Sequence, residues 1–123
     1  MKHLESDIIM QVVDLKKYFP LKVGLLKTLF SKNIPMVRAV DGISFYIKTR
    51  EIFGLAGESG CGKTTTGRLV IRLIEPTSGK VIFKGIDLTS LPEDEMRKMR
   101  RKLQIIFQDP YESLNPRMSI YDI

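Results

Sequence analysis

Gly57-Glu58-Ser59-Gly60-Cys61-Gly62-Lys63-Thr64 fits the spacing G-x-x-x-x-G-K-[ST] at every fixed position. The spacing has physical reasons. A loop that wraps a phosphate must turn successive backbone N–H groups inward, and glycines at 57, 60 and 62 allow the dihedrals and the close approach this needs. A helix starting near Lys63 would aim its positive end at the same anion. Lys63 is then placed to reach the β- and γ-phosphates of a nucleotide, and the Thr64 hydroxyl to ligate Mg²⁺. Context decides whether such a match means anything. Upstream, Ile52–Ala56 (IFGLA) is a short apolar run with the look of a buried parallel strand. Downstream, Lys63–Ile74 places Leu69, Val70, Leu73 and Ile74 at helical spacing, with Pro76, Ser78 and Gly79 to end the helix. Strand, glycine turn and helix in that order predict a phosphate loop rather than a flexible turn. Cys61, between two glycines and near Lys63, is expected to be a reactive thiol inside the cradle.

Upstream of the loop, Ile8–Leu15 reads as a first strand, and Val37–Val40 and Ile43–Ile47 as extended. In the last of these Ile43, Phe45 and Ile47 alternate with Ser44, Tyr46 and Lys48, the pattern of a half-exposed antiparallel strand. Lys80–Lys84 is a further strand, with Gly85 at the turn after it. Ser90-Leu91-Pro92-Glu93 has the form of a capping box opening a helix. Glu93, Asp94 and Glu95 stand near that helix's positive end, and Arg97, Lys98, Arg100, Arg101 and Lys102 toward its negative end. The helix dipole therefore accounts for the basic cluster without nucleic acid. Leu103–Phe107 reads as a second buried strand, and Asp109–Pro116 as a loop. Between Pro20 and Pro35, Leu25, Leu26, Leu29 and Phe30 share one helical face among lysines. Two readings stand for that segment: a short amphipathic helix offered to a partner or membrane face, or apolar residues packed on the neighbouring sheet.

The bulk properties narrow the class. A chain of 123 residues, 43% hydrophobic and 28% charged, has room for one small domain. The single cysteine excludes an internal disulfide. The first ten residues lack the apolar stretch of a signal peptide, and no run approaches the roughly 18 apolar residues of a membrane span. A cytoplasmic location is expected. The net charge of +6 suits polyanionic ligands, and scattered as it is, it also serves solubility.

Three segments carry a resemblance. GESGCGKTT resembles the Walker A loop of ABC ATPases, IIFQDPYESLNPRMS resembles their Q-loop, and VRAVDGISFYIKTRE resembles the strand pair before Walker A. FQDPYESLNPRM and the Pro20–Pro35 insertion are most similar to ATP-binding subunits of oligopeptide and dipeptide importers. The resemblance implies an α/β P-loop NTPase fold of the ABC ATPase type, with a parallel core sheet and an antiparallel β-subdomain. It covers residues 1–123 as the N-terminal part of an ATP-binding domain, from Walker A to the Q-loop, incomplete at the C-terminus. It implies ATP and Mg²⁺ as cofactors, and a function in powering peptide import through a membrane permease.

The resemblance also distributes roles. Gly57, Glu58, Ser59, Gly60, Cys61, Gly62, Lys63, Thr64 and Thr65 would form the phosphate cradle, Thr65 on the α-phosphate side. Tyr18 matches the aromatic that stacks on adenine; without the resemblance, the alternative is a strand-end tyrosine packed on the core. Gln108 matches the glutamine that approaches Mg²⁺ and the attacking water, so Lys63 and Gln108 are the catalytic candidates, and Thr64 and Gln108 the metal candidates. The implied partners are MgATP, permease subunits and a second ATPase subunit, identical or not, with no nucleic acid expected; the location is peripheral, on the inner face of the cell membrane. One departure is Thr49-Arg50-Glu51, where the family turn carries a glycine: a left-handed Arg50 costs about 1 kcal/mol. A second is the absence of an LSGGQ signature, a catalytic glutamate and a switch histidine, so the 123-residue chain alone is expected to be inactive. An ABC ATPase serving another substrate or role, a non-catalytic nucleotide-binding fragment and a nucleic-acid-associated ATPase remain as alternatives.

Overall fold

The computed structural model describes residues 7–21 and 35–107. The Q-loop candidate Gln108 and the expected amphipathic face at 25–30 lie outside them. Two long strands, β1 (Ile8–Pro20) and β2 (Met36–Lys48), pair antiparallel from Ile8 opposite Lys48 to Pro20 opposite Met36. β3 (Ser78–Phe83) adds to the other edge of β1, and β4 (Ile86–Asp87) to β3, giving the order β2-β1-β3-β4. The β3–β4 connection is the two-residue turn Lys84-Gly85, with φ of 49° and 78°. Positive φ at both positions matches the right-handed twist of the strands it joins.

β1 does not alternate evenly. Met10, Val12 and Leu15 are buried, while Val13 and Asp14 both face solvent. A bulge explains the slip: the pairing with β2 shifts between Val12 and Leu15, and that with β3 between Val13 and Lys16. Asp14 takes φ 45°, and the Ser44 hydroxyl accepts its N–H at 2.9 Å. Gly79 lies against the bulge with φ 94°, where a Cβ would overlap the Asp14 carbonyl oxygen. The extra residue turns Leu15 back toward the core and carries the strand on to Tyr18. In β2, Gly42 at φ 76° joins the two extended segments expected separately into one strand.

α1 (Lys63–Val70) and α2 (Glu93–Arg100) supply Leu69, Met96 and Met99 to a core completed by the three β1 residues with Val40, Val81, Phe83 and Leu88. α1 stops short of the expected Ile74. The Leu73 N–H donates to the Arg68 carbonyl and the Arg72 N–H to that of Leu69, at 2.8 and 2.9 Å, around Arg72 in the left-handed region at φ 51°. This is a Schellman ending with arginine where glycine is usual. The Arg72 guanidinium offsets that cost by donating to the Leu88 and Leu91 carbonyls at 2.8 and 2.6 Å.

Two further expectations need correction. No capping box forms at α2: Pro92 precedes the helix without a side-chain cap, and Ser90 sits in a 3₁₀ turn (Leu88–Ser90) where its hydroxyl donates to the Asp87 carbonyl. The acidic first turn and basic last turn of α2 are as expected, and Arg100 reaches back to Glu93, whose carboxyl this hydrogen bond holds below the ordinary glutamate range. More consequentially, residues 52–56 and 103–107 are not strands, and the sheet of the described residues is wholly antiparallel. A strand needs a neighbour to take up its N–H and C=O groups, and neither run has one among the described residues. Ile52 is 99% exposed and Ile106 96%; Phe53 is held by stacking on Phe45, ring centroids 4.8 Å apart. Arg50 does adopt the left-handed conformation, at φ 63°.

Candidate functional site

The glycines of residues 57–64 serve the loop in distinct ways. Gly60 and Gly62 take φ of 81° and 95°, which side-chain-bearing residues rarely adopt. A Cβ on Gly62 would overlap the Ala39 carbonyl oxygen, so the missing side chain lets the loop lie directly on β2. A Cβ on Gly57 would come within 2.5 Å of the Cys61 sulfur. α1 starts immediately after Gly62, and Thr66 ties the first turn down by donating both its N–H and its hydroxyl to the Gly62 carbonyl, at 2.8 and 3.0 Å.

Lys63 folds back over this loop. Its Nζ donates to the Gly57 and Glu58 carbonyls at 2.6 and 2.5 Å and lies 3.5 Å from the Cys61 sulfur. Cys61 is an exposed free thiol. Between the loop and β2 runs a cleft of about 440 Å³, walled by residues 59–65 on one side and 37–39 on the other. The lining residues with cationic or hydroxyl side chains are Lys63, Arg38, Ser59, Thr64 and Thr65. Cationic and hydroxyl donors around a glycine-built loop form a donor set that fits polyphosphate. Magnesium would be met by the Thr64 hydroxyl, with phosphate oxygens completing its shell. Among the described residues no cluster of three His, Cys, Asp or Glu side chains forms a separate metal site.

Most of the expected cradle residues are thus brought together. Ser59 to Thr65 line the cleft, while Gly57 and Glu58 contribute through the carbonyls that hold Lys63. Tyr18 stands one step away. It is half-buried on β1, opposite Arg38 of β2, and its hydroxyl donates to the Asp41 carboxylate. Arg38 covers the Tyr18 ring at 5.6 Å from the centroid and donates to the same carboxylate at 3.3 Å. The shared hydrogen bond raises the Tyr18 phenol above its ordinary range and lowers the Asp41 carboxyl below its own; burial adds to the first shift, and Arg38 to the second. Arg38 and Asp41 were not among the expected site residues. Their spacing of three in β2 carries no chemical signature, and only the β1–β2 register sets them beside Tyr18.

Comparison with known proteins adds the context that geometry does not give. Residues 40–123 match the family model described as ABC transporter. The oligopeptide transport ATP-binding protein AppF of Bacillus subtilis is 47% identical over 96% of this chain, and the putative oligopeptide transport ATP-binding protein YkfD of the same species 56% identical over 71%. The chain spans about a third of the length of such relatives, 35% of the first and 26% of the second. Among solved structures, cbiO1 from Clostridium perfringens, part of the ABC transporter complex cbiONQ, superposes with a TM-score of 0.65 over 89% of this chain and 38% of its own, at 26% identity. The ATP-binding cassette MJ0796, a dimer bound to ADP and Pi in a post-hydrolysis state, gives 0.61 over 75% of this chain and 35% of its own, at 27% identity.

Proposed function

The chain belongs to the ABC transporter family, and from that premise we propose that it is the nucleotide-holding N-terminal part of an ATPase subunit that powers peptide import. The intact protein binds and hydrolyses MgATP at the inner face of the cell membrane, coupled to permease subunits and paired with a second ATPase subunit. Peptide as cargo rests on the names of the relatives, both oligopeptide transport ATP-binding proteins. The pairing rests on the dimeric MJ0796 cassette.

The observation that carries the nucleotide reading is the position of Lys63. Its ammonium sits over the mouth of the glycine loop, held by two loop carbonyls that phosphate oxygens can replace as acceptors. α1 begins at Lys63, so its positive end favours an anion at the same place. Thr64 and Thr65 line the cleft; Thr64 is assigned to magnesium and Thr65 to the phosphate nearer the ribose. Bound MgATP supplies the phosphoanhydride and a cation that neutralises its charge. Gln108 is assigned the water-facing role, and the remaining acid–base groups come from the rest of the protein and from the second subunit.

Lys63→Ala tests this reading. Losing a charge-assisted contact to phosphate is expected to weaken MgATP by about 1.5–3 kcal/mol or more, measured by calorimetry, with the circular dichroism spectrum unchanged. In the unsubstituted chain MgATP should slow maleimide labelling of Cys61, 3.5 Å from Lys63. Equal affinity in both proteins, or a labelling rate indifferent to saturating MgATP, would defeat the assignment.

A further inference from the structure

The cleft has a second cation on the wall opposite Lys63. Arg38 lines it together with loop residues, yet also reaches Tyr18 on β1 and Asp41 on its own strand. It is therefore the side chain that connects the phosphate loop to the position assigned to the adenine. A nucleotide is a linear sequence of base, ribose and phosphates. With its distal phosphates on the loop and its base at Tyr18, the group alongside Arg38 is the one between them.

We propose that Arg38 binds the ribose-proximal phosphate of the nucleotide, and that Asp41 and Tyr18 hold the guanidinium beside the cleft until that phosphate arrives. The proposal rests on the nucleotide reading above and extends it to a residue outside the phosphate loop. Three features support it. The Arg38 side chain is 69% exposed, so turning it toward the cleft carries little desolvation cost. Its bond to Asp41 is long, at 3.3 Å, and monodentate, in an exposed setting where such pairs are worth little. A phosphate offers a guanidinium two parallel acceptors and more charge than that bond supplies. Asp41 keeps its hydrogen bond from Tyr18 when Arg38 departs, so the tyrosine ring stays in place while the cation changes partner.

The test compares ligands of graded phosphate content on the full chain: ATP, ADP, AMP and adenosine, with Arg38→Ala, Arg38→Lys and Lys63→Ala. Arg38→Ala is expected to weaken AMP, ADP and ATP alike by about tenfold, the size of one charge-assisted contact, and to leave adenosine unchanged. Arg38→Lys should restore part of the loss, since the charge returns without the planar fork. Asp41→Asn, which keeps an acceptor for Tyr18 but removes the competing charge, should bind AMP at least as tightly as the unsubstituted chain. Unchanged AMP and ATP affinity in Arg38→Ala, with Lys63→Ala impaired, would overturn the proposal and leave the phosphate loop standing. Adenosine losing as much as AMP would also overturn it, because Arg38 would then act only on the Tyr18 ring. Unchanged ATP affinity in both the Lys63 and Arg38 variants would instead remove the nucleotide reading on which the proposal rests.

Discussion

Asp41 accepts from Tyr18 and Arg38 together, and the pH response of the site follows from that sharing. The Tyr18 phenol is raised by its bond to Asp41, so this contribution is complete below the ordinary tyrosine value and disappears as pH rises through the higher folded value. The Asp41 carboxyl is lowered, chiefly by the same bond and then by Arg38, so its contribution is complete above the ordinary carboxylate value and is lost as pH falls through the lower folded one. The link is intact across the whole neutral range. Phenolate absorbance during an alkaline titration checks it, with Tyr18→Phe identifying which of the four tyrosines is observed. Asp41→Asn should bring the Tyr18 ionisation to lower pH; an unmoved titration would mean that the bond is absent in solution. At this scale the glycine turn and the lysine that closes on it were legible in the sequence, because these glycines and Lys63 act on near neighbours in the chain. The Arg38–Asp41 pair was not, because its meaning depends on Tyr18, 20 residues from Arg38 in the chain and beside it only through strand register.

The bulge in β1 and the tight turn after β3 use glycine for different reasons, and substitution separates them. Gly85 has φ 78° and open space where a Cβ would go; Gly79 has φ 94° and the Asp14 backbone in the way. Gly85→Ala is expected to cost about 1 kcal/mol, the price of a left-handed non-glycine residue. Gly79→Ala should cost about 2–4 kcal/mol, since conformational strain is joined by a clash that only displacement of the bulge relieves. Urea denaturation distinguishes the two, and equal losses would contradict the packing of β3 on the bulge. Boundaries were the least legible part of the elements. α1 ends at a left-handed Arg72, a device that normally announces itself with glycine, and its compensation comes from the distant Leu88 and Leu91 carbonyls. The serine and glutamate of the apparent capping box have the right spacing, but Ser90 is engaged in the turn from Asp87 and α2 begins only after Pro92. Hydrophobic alternation identified the last part of β2, and the bulge residues of β1 hid its continuation to Pro20.

For the molecule as a whole, the two apolar runs matter most. Residues 52–56 and 103–107 have the composition of buried parallel strands, yet neither is a strand here, because composition is no guide to whether neighbours are present. Purified alone, the 123-residue chain should associate with rising concentration, and Ile52→Lys with Ile106→Lys should suppress association while moving stability by only about 0.5 kcal/mol, because both side chains already lie in water. Analytical ultracentrifugation and chemical denaturation report on each half of that expectation. The chain alone should also release no phosphate from MgATP; magnesium-dependent turnover abolished by Lys63→Ala would require a catalytic base within these residues. The exposure of the two runs has a further consequence during synthesis. A ribosome emits β1, β2 and the phosphate loop first, at about 5–20 residues per second, so the antiparallel unit can close while residues 52–56 still have no strand beside them. For those seconds the nascent chain would display exposed apolar sequence of the kind chaperones bind.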